Sequence, residues 1–245
     1  MARRDGLELH ARGGGLDCVD ATGRSRWRRS CPGRPDAAHL SADRALVTTD
    51  PVGHGAGDHG GPALLLDLAD GSTIAELRGR HGAVLDDGRF VLGLADGDTP
   101  RTSVHDQDGA LLDSWHSFGH YVVGDGLRVV ETDHRRPTGS RVVRLLPGGR
   151  IEPGPPLGGP RTPPPLVLPD DTLLLLDAGV LRAVGRDLED TVLAELLPLA
   201  PDQQPRFTGS LRRTADRLTA TLVERHPTRM GSYSTHTWTL DLHAT

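Results

Sequence analysis

The chain of 245 residues contains no lysine and no asparagine; all 28 of its basic residues are arginine. A Schiff-base or general-base lysine is thereby excluded. Every cationic side chain is a guanidinium, which favours planar carboxylate or phosphate partners. Only two cysteines occur, Cys18 and Cys31, and no Cys-x-x-Cys pair, so a thiolate zinc cluster is excluded. The two thiols flank a predicted hairpin and are expected to be free. Aromatic residues make up 3% of the chain, so leucine, valine and alanine must fill the core. No apolar run approaches the roughly 20 residues that a membrane-spanning helix needs. Residues 1–15, MARRDGLELHARGGG, lack the apolar centre of a secretory signal. The expectation is a cytoplasmic protein with no membrane partner. A net charge of −5 argues against nucleic acid as a partner, because such domains carry a basic excess.

What the chain does contain is a repeat. A short apolar strand runs into a tight turn and a second strand runs out: residues 16–29 read LDCVDATGRSRWRR, 64–77 LLLDLADGSTIAEL, 103–115 SVHDQDGALLDSW and 142–152 VVRLLPGGRIE. The turn pairs Asp70-Gly71, Asp108-Gly109 and Gly148-Gly149 lie 38 and 40 residues apart. A fixed period near 40 with several strands per unit predicts an all-β protein, a single β-propeller of four-stranded blades spanning residues 1–245.

Each unit opens with a short apolar strand, such as 83–85, 121–123 or 166–168. An acidic turn follows, at Asp43, Asp86-Asp87-Gly88, Asp125-Gly126, Asp170-Asp171 and Asp216. The second strands, 45–49, 90–94, 127–131, 173–177 and 218–224, are apolar almost throughout, as expected where both sheet faces are covered. Residues 187–197, DLEDTVLAELL, suit a helix or a strand by spacing and are read as strand from their place in the repeat. The chain is expected to enter its first unit at strand two (7–10, 16–20, 25–30) and to end after a third strand (234–242). The first and last strands would then close the ring, since an open ring exposes strand edges. Six blades is the favoured count, with five plus an N-terminal hairpin as the alternative. The segment 152–165, EPGPPLGGPRTPPP, reads as a stiff connection.

Residues 16–29, with Val19-Asp20-Ala21-Thr22-Gly23 and then Trp27, resemble the repeat of the quinoprotein-like (PQQ-type) β-propellers. Asp108-Gly109 followed by Trp115 is a looser copy. Residues 80–106 resemble a WD40 repeat, with His81 ahead of strand one and Asp86-Asp87-Gly88-Arg89 at the first turn. The resemblance implies the propeller fold. It assigns no quinone, calcium or catalytic residue, because propellers serve as enzymes, receptors and scaffolds alike.

Function is therefore sought in the loops. In a propeller the strand-two-to-three loops and the between-blade connections share one face. Residues 50–61, DPVGHGAGDHGG, carry His54, Asp58 and His59. Imidazole and carboxylate suit a divalent ion, but a glycine-rich loop without a second shell holds ligands poorly, so neither metal nor cofactor is assigned. Residues 131–140 supply Asp133, His134, Arg135 and Arg136; further candidates are Asp98, Arg101, His226 and Arg229, with Arg80, His81 and His120 from between-blade segments. Such a rim suits a partner protein or an anionic small molecule bound through bidentate arginine contacts. The expectation is a binding or scaffold propeller. The alternative is an enzyme (a lyase, hydrolase or cyclase) in which His134 or His226 moves a proton while arginine steadies the developing negative charge.

Overall fold

The computed structural model describes residues 2–50, 61–96, 99–131, 140–158, 163–197, 207–225 and 233–241. Every regular element among them is a strand. The first sheet runs β1 (Ala2–Arg4), β2 (Leu7–Arg12), β3 (Gly15–Val19) and β4 (Ser25–Ser30). The second runs β5 (Arg34–Leu40), β6 (Arg44–Asp50), β7 (Pro62–Asp67) and β8 (Thr73–Arg78). The third runs β9 (His81–Val84), β10 (Phe90–Asp96), β11 (Thr99–His105) and β12 (Leu111–Trp115). The fourth runs β13 (Gly119–Gly124), β14 (Gly126–Glu131), β15 (Arg141–Leu146) and β16 (Arg150–Pro156). The fifth runs β17 (Leu166–Val167), β18 (Leu173–Asp177), β19 (Val180–Val184) and β20 (Asp190–Glu195). The sixth contains β21 (Phe207–Thr214), β22 (Arg217–Arg225) and β23 (Tyr233–Asp241). In each, strands adjacent in sequence are adjacent in space and antiparallel, the architecture of a six-bladed β-propeller.

The residues fall into two compact units, 1–127 with 145–150, and 128–144 with 151–245. In the first, the opening strands β1, β5, β9 and β13 pack on one another in succession. In the second, β17 and β18 pack against β21.

The core follows from strand alternation. Successive side chains of a strand point to opposite faces, and β7 is buried on both. Leu64 and Leu66 join Ala45, Val47, Leu9, Leu16 and Cys18 in one cluster. Ala63 and Leu65 join Leu46, Phe90 and Leu92 in another. One strand thus glues its sheet to the sheet before and the sheet after. Leu173 to Leu176 of β18 repeat the pattern, all at 1% exposure or less. Cys18 is buried and Cys31 half-buried; both are free thiols, and burial raises both above the usual range.

The hairpin between strands three and four shows why the repeat needs Asp, Gly and Trp. The Asp20 carboxylate accepts the amides of Thr22 (2.9 Å) and Arg24 (3.1 Å) and the Thr22 hydroxyl (2.6 Å). The Thr22 hydroxyl bond, then the Arg24 amide, hold its pKa below the ordinary value. Gly23 closes the turn at φ 80°, a region that L-residues avoid. Trp27 then donates its indole N–H to Leu68 O of the next sheet at 2.9 Å. Its ring lies where a Cβ on Gly71 would come within 2.7 Å. Gly71 therefore serves the turn and the docking together. The third sheet repeats the device: Asp106 Oδ1 accepts the amides of Asp108 and Ala110, Gly109 has φ 87°, and Trp115 donates to Leu146 O at 2.9 Å.

Two details depart from the sequence reading. The first sheet is complete, because Ala2-Arg3-Arg4 pair with β2 (Ala2 opposite Leu9, Arg4 opposite Leu7). Three mostly polar residues carry no strand pattern of their own. Residues 150–156 are an outer strand and not wholly a connection; proline is tolerated there because an edge strand need not donate every N–H. In the third sheet Asp106 caps the amides of the turn that the Asp108-Gly109 pair forms.

Trp115 is 6% exposed and bonded. Its replacement by alanine is expected to cost about 3–5 kcal/mol in urea unfolding, and by phenylalanine clearly less. Equal stability of wild type and Trp115→Ala would contradict the indole's docking role.

Candidate functional site

The opening strands of the first unit bring a set of rings together. His39 lies on β5, His81 on β9, and His120 and Tyr121 on β13, with Phe118 just ahead. The His81 ring stacks on Phe118 at 4.7 Å between centroids and 28° between planes. It also stacks on His120 at 6.0 Å and 12°. His81 Nδ1 lies 3.0 Å from Gly119 O, so the neutral ring donates from Nδ1 and leaves Nε2 as its acceptor.

Two glycines make the cluster possible. A Cβ on Gly82 would come within 2.8 Å of the His39 ring. A Cβ on Gly93 would collide with the Tyr121 hydroxyl. That hydroxyl sits 2.8 Å from Thr102 Oγ1, which itself donates to Ser117 O at 2.6 Å, so Tyr121 is the donor in the chain. Burial pushes the Tyr121 phenol far above its usual value, and the Thr102 bond opposes this only in part. Across the third sheet, His81 stands level with Gly93, Gly93 with Thr102, and Thr102 with Trp115. Arg80 precedes His81, and Arg101 precedes Thr102, so both residues belong to the same end of that sheet. Arg101 reaches Ser114 Oγ at 3.2 Å; Arg80 and Arg101 are exposed.

His39 is a half-buried imidazole. Its Nε2 is buried and has no hydrogen-bond partner among the described residues. Burial lowers its pKa, and the neighbouring His81 lowers it further. The ring is therefore neutral where free histidine is partly charged.

Of the residues selected from sequence, the structure brings His81 and His120 into a stack and sets Arg80 and Arg101 at the same sheet end. His54, Asp58, His59, Asp98, Asp133, His134, Arg135, Arg136, His226 and Arg229 lie outside the described residues. Sequence reasoning missed His39, Phe118 and Tyr121. A signal existed: His39, His81 and His120 are 42 and 39 residues apart, the period of the repeat itself. Among the described residues, no three His, Cys, Asp or Glu side chains are grouped to hold a metal ion. What the arrangement offers chemically is a half-exposed imidazole and phenyl surface, with Arg80 and Arg101 at the same end of the third sheet and the Arg101 guanidinium turned to Ser114 of the outer strand.

No protein-family model matches the chain, and no curated protein sequence matches it. Solved structures do. BamB from Moraxella catarrhalis aligns with a TM-score of 0.59 at 18% identity, covering 94% of this chain and 70% of that one. Hsv2 from Kluyvelomyces marxianus aligns at 0.53 and 12%, over 99% and 84%. KlAtg21, solved in complex with the coiled-coil of AgAtg16, aligns at 0.51 and 9%, over 96% and 82%. At these identities the likeness is one of fold. The chain has the β-propeller fold.

The His39 pKa sets a pH dependence. A histidine whose folded pKa is depressed leaves the unfolded chain holding more protons, so stability is full above about 6.5 and is lost as pH falls. The melting temperature of the wild type is expected to drop between neutral and mildly acid pH. His39→Leu is expected to flatten that slope, and parallel curves for the two proteins would refute the assignment.

Proposed function

We propose that the protein is a binding propeller that holds a partner protein, or an anionic small ligand, on a charged face. The observation that carries this reading is the stacked surface of His81, Phe118 and His120 with Arg80 and Arg101 at the same sheet end. Stacked rings offer area at low entropic cost, and guanidinium groups grip carboxylate or phosphate in a bidentate manner. A rigid β scaffold presenting such a surface suits recognition. The fold neighbours lend support, since KlAtg21 was solved bound to a coiled-coil.

We assign the same binding role to the loop residues Arg135, Arg136 and Arg229, with His54, Asp58, His59, Asp98, Asp133, His134 and His226 as polar neighbours of ligand. We place the protein in the cytoplasm. A wholly arginine cation set makes the affinity salt-dependent, because each ion pair formed at an exposed rim is screened.

The test uses the full chain as bait for partners, and a thermal-shift series with phosphate, nucleotides and dicarboxylates as probes. Combined Arg80→Ala and Arg101→Ala substitution is expected to weaken the captured interaction at least tenfold, with the melting temperature held. Arg135→Ala, Arg136→Ala and Arg229→Ala should add to the loss. Binding that is indifferent to all five changes and to salt would contradict the proposal.

A further inference from the structure

The sequence holds six Asp-Gly pairs, beginning at Asp5, Asp70, Asp87, Asp96, Asp108 and Asp125. Each carries a latent reaction. The glycine amide nitrogen can attack the side-chain carboxyl of the aspartate before it, and glycine has no side chain to obstruct the approach. Hydrogen bonding governs whether it does. The nitrogen must first give up its acceptor, and the carboxyl must be protonated before its oxygen can leave as water.

Three of the pairs are tied down. Gly71 N donates to Asp67 O at 2.9 Å, Gly88 N to Leu85 O at 2.9 Å and Gly109 N to Asp106 O at 3.2 Å. The Asp70 carboxylate accepts the Ser72 amide at 2.7 Å, and that bond holds its pKa below the ordinary value. Asp87 accepts Arg89 Nε at 2.8 Å and the Arg89 amide at 3.1 Å, and the guanidinium bond lowers its pKa likewise. A carboxyl kept ionised is a poor electrophile.

Asp5-Gly6 lacks these restraints. The pair forms the whole turn between β1 and β2, with Arg4 opposite Leu7. Both residues have positive φ, 48° and 77°, as a two-residue hairpin turn requires. Asp5 is alone among the described aspartates of these pairs in being left-handed, a strained state for an L-residue. The Gly6 amide has no acceptor among the described residues. The Asp5 side chain is 82% exposed, and its contact with Arg4 Nε is 3.4 Å long and open to water.

We propose that Asp5-Gly6 is a site of spontaneous backbone isomerisation whose product unlatches β1. The Gly6 nitrogen bonds to Asp5 Cγ; its proton and the carboxyl hydroxyl leave together as one water, closing a five-membered imide. Water then adds at the main-chain carbonyl carbon of Asp5 and breaks the bond from that carbon to nitrogen. The peptide link now runs through Asp5 Cβ and Cγ, and a free α-carboxylate hangs from the chain. Composition is unchanged, since the water lost is regained. The main chain of the turn is one atom longer, so two residues no longer close Arg4 onto Leu7. β1 has only three pairs to lose. With them go the seating of Ala2 on the first core cluster and the 3.1 Å bond from Arg4 Nη1 to Leu40 O of the second sheet. The new α-carboxylate is the group that isoaspartyl methyltransferases esterify with the methyl of S-adenosylmethionine, so the altered turn is a substrate for that class of enzyme.

The test incubates the folded full chain for several weeks in warm, near-neutral buffer, with a parallel sample in concentrated urea. Isoaspartate is measured at each site by peptide mapping and by enzymatic methyl labelling. In the folded chain Asp5 is expected to convert at least tenfold faster than Asp70, Asp87 or Asp108. In urea the four rates should fall within a few-fold of one another, because only the shared Asp-Gly sequence then acts. Asp5→Asn, which keeps a residue tolerant of left-handed angles, should react faster still, losing ammonia through the same imide. The isomerised fraction should show faster hydrogen exchange over residues 2–10 and a lower melting temperature than the unreacted fraction. Conversion at Asp5 no faster than at the three tied turns would overturn the proposal. So would a preference for Asp5 that persists undiminished in urea. Unchanged exchange over 2–10 in the isomerised fraction would overturn the unlatching of β1.

Discussion

The structure depends on strands that have no outward face. In β7 the odd side chains, Ala63 and Leu65, enter one cluster and the even ones, Leu64 and Leu66, enter another. A sheet built on such strands cannot stop at water on either side. Apolar area left exposed costs roughly 25 cal/mol per Å², so each sheet must be sandwiched between neighbours. Antiparallel meanders stacked in this way give blades, and the aliphatic composition follows, since leucine and valine pack such thin layers without needing polar partners. The tryptophan clasps add direction. An indole that donates to one carbonyl of the next sheet fixes which part of that sheet it meets, whereas aliphatic contact alone would permit sliding.

That constraint also orders the functional surfaces. Opening strands are brought side by side, so histidines one repeat apart in sequence become ring neighbours in space. Close approach demands glycine at Gly82 and Gly93, where any side chain would displace His39 or Tyr121.

Much of this was legible from sequence because it is periodic. The Asp-Gly turns, the apolar second strands and the period near 40 led to four-stranded units, and the segment around 190–195 proved to be strand as its place in the repeat required. What was not legible lacked a periodic mark. Ala2–Arg4 form a strand through pairing with β2 alone. The turn over 185–189 hides its kinship because Leu188, at φ 66°, stands where other repeats have glycine. His39 was overlooked among loop histidines because its importance comes from burial, which composition does not report. The candidate loop residues could be selected by chemical type alone, since loops carry no periodic mark that would relate one to another.

The central claim, that the middle strands β6, β7 and β18 are sealed on both faces, is tested most directly by hydrogen exchange with peptide-level resolution. The slowest exchange is expected in segments covering 45–47, 63–66 and 173–176, and faster exchange in the outer strands 73–78 and 190–195. Equal protection of middle and outer strands would contradict it.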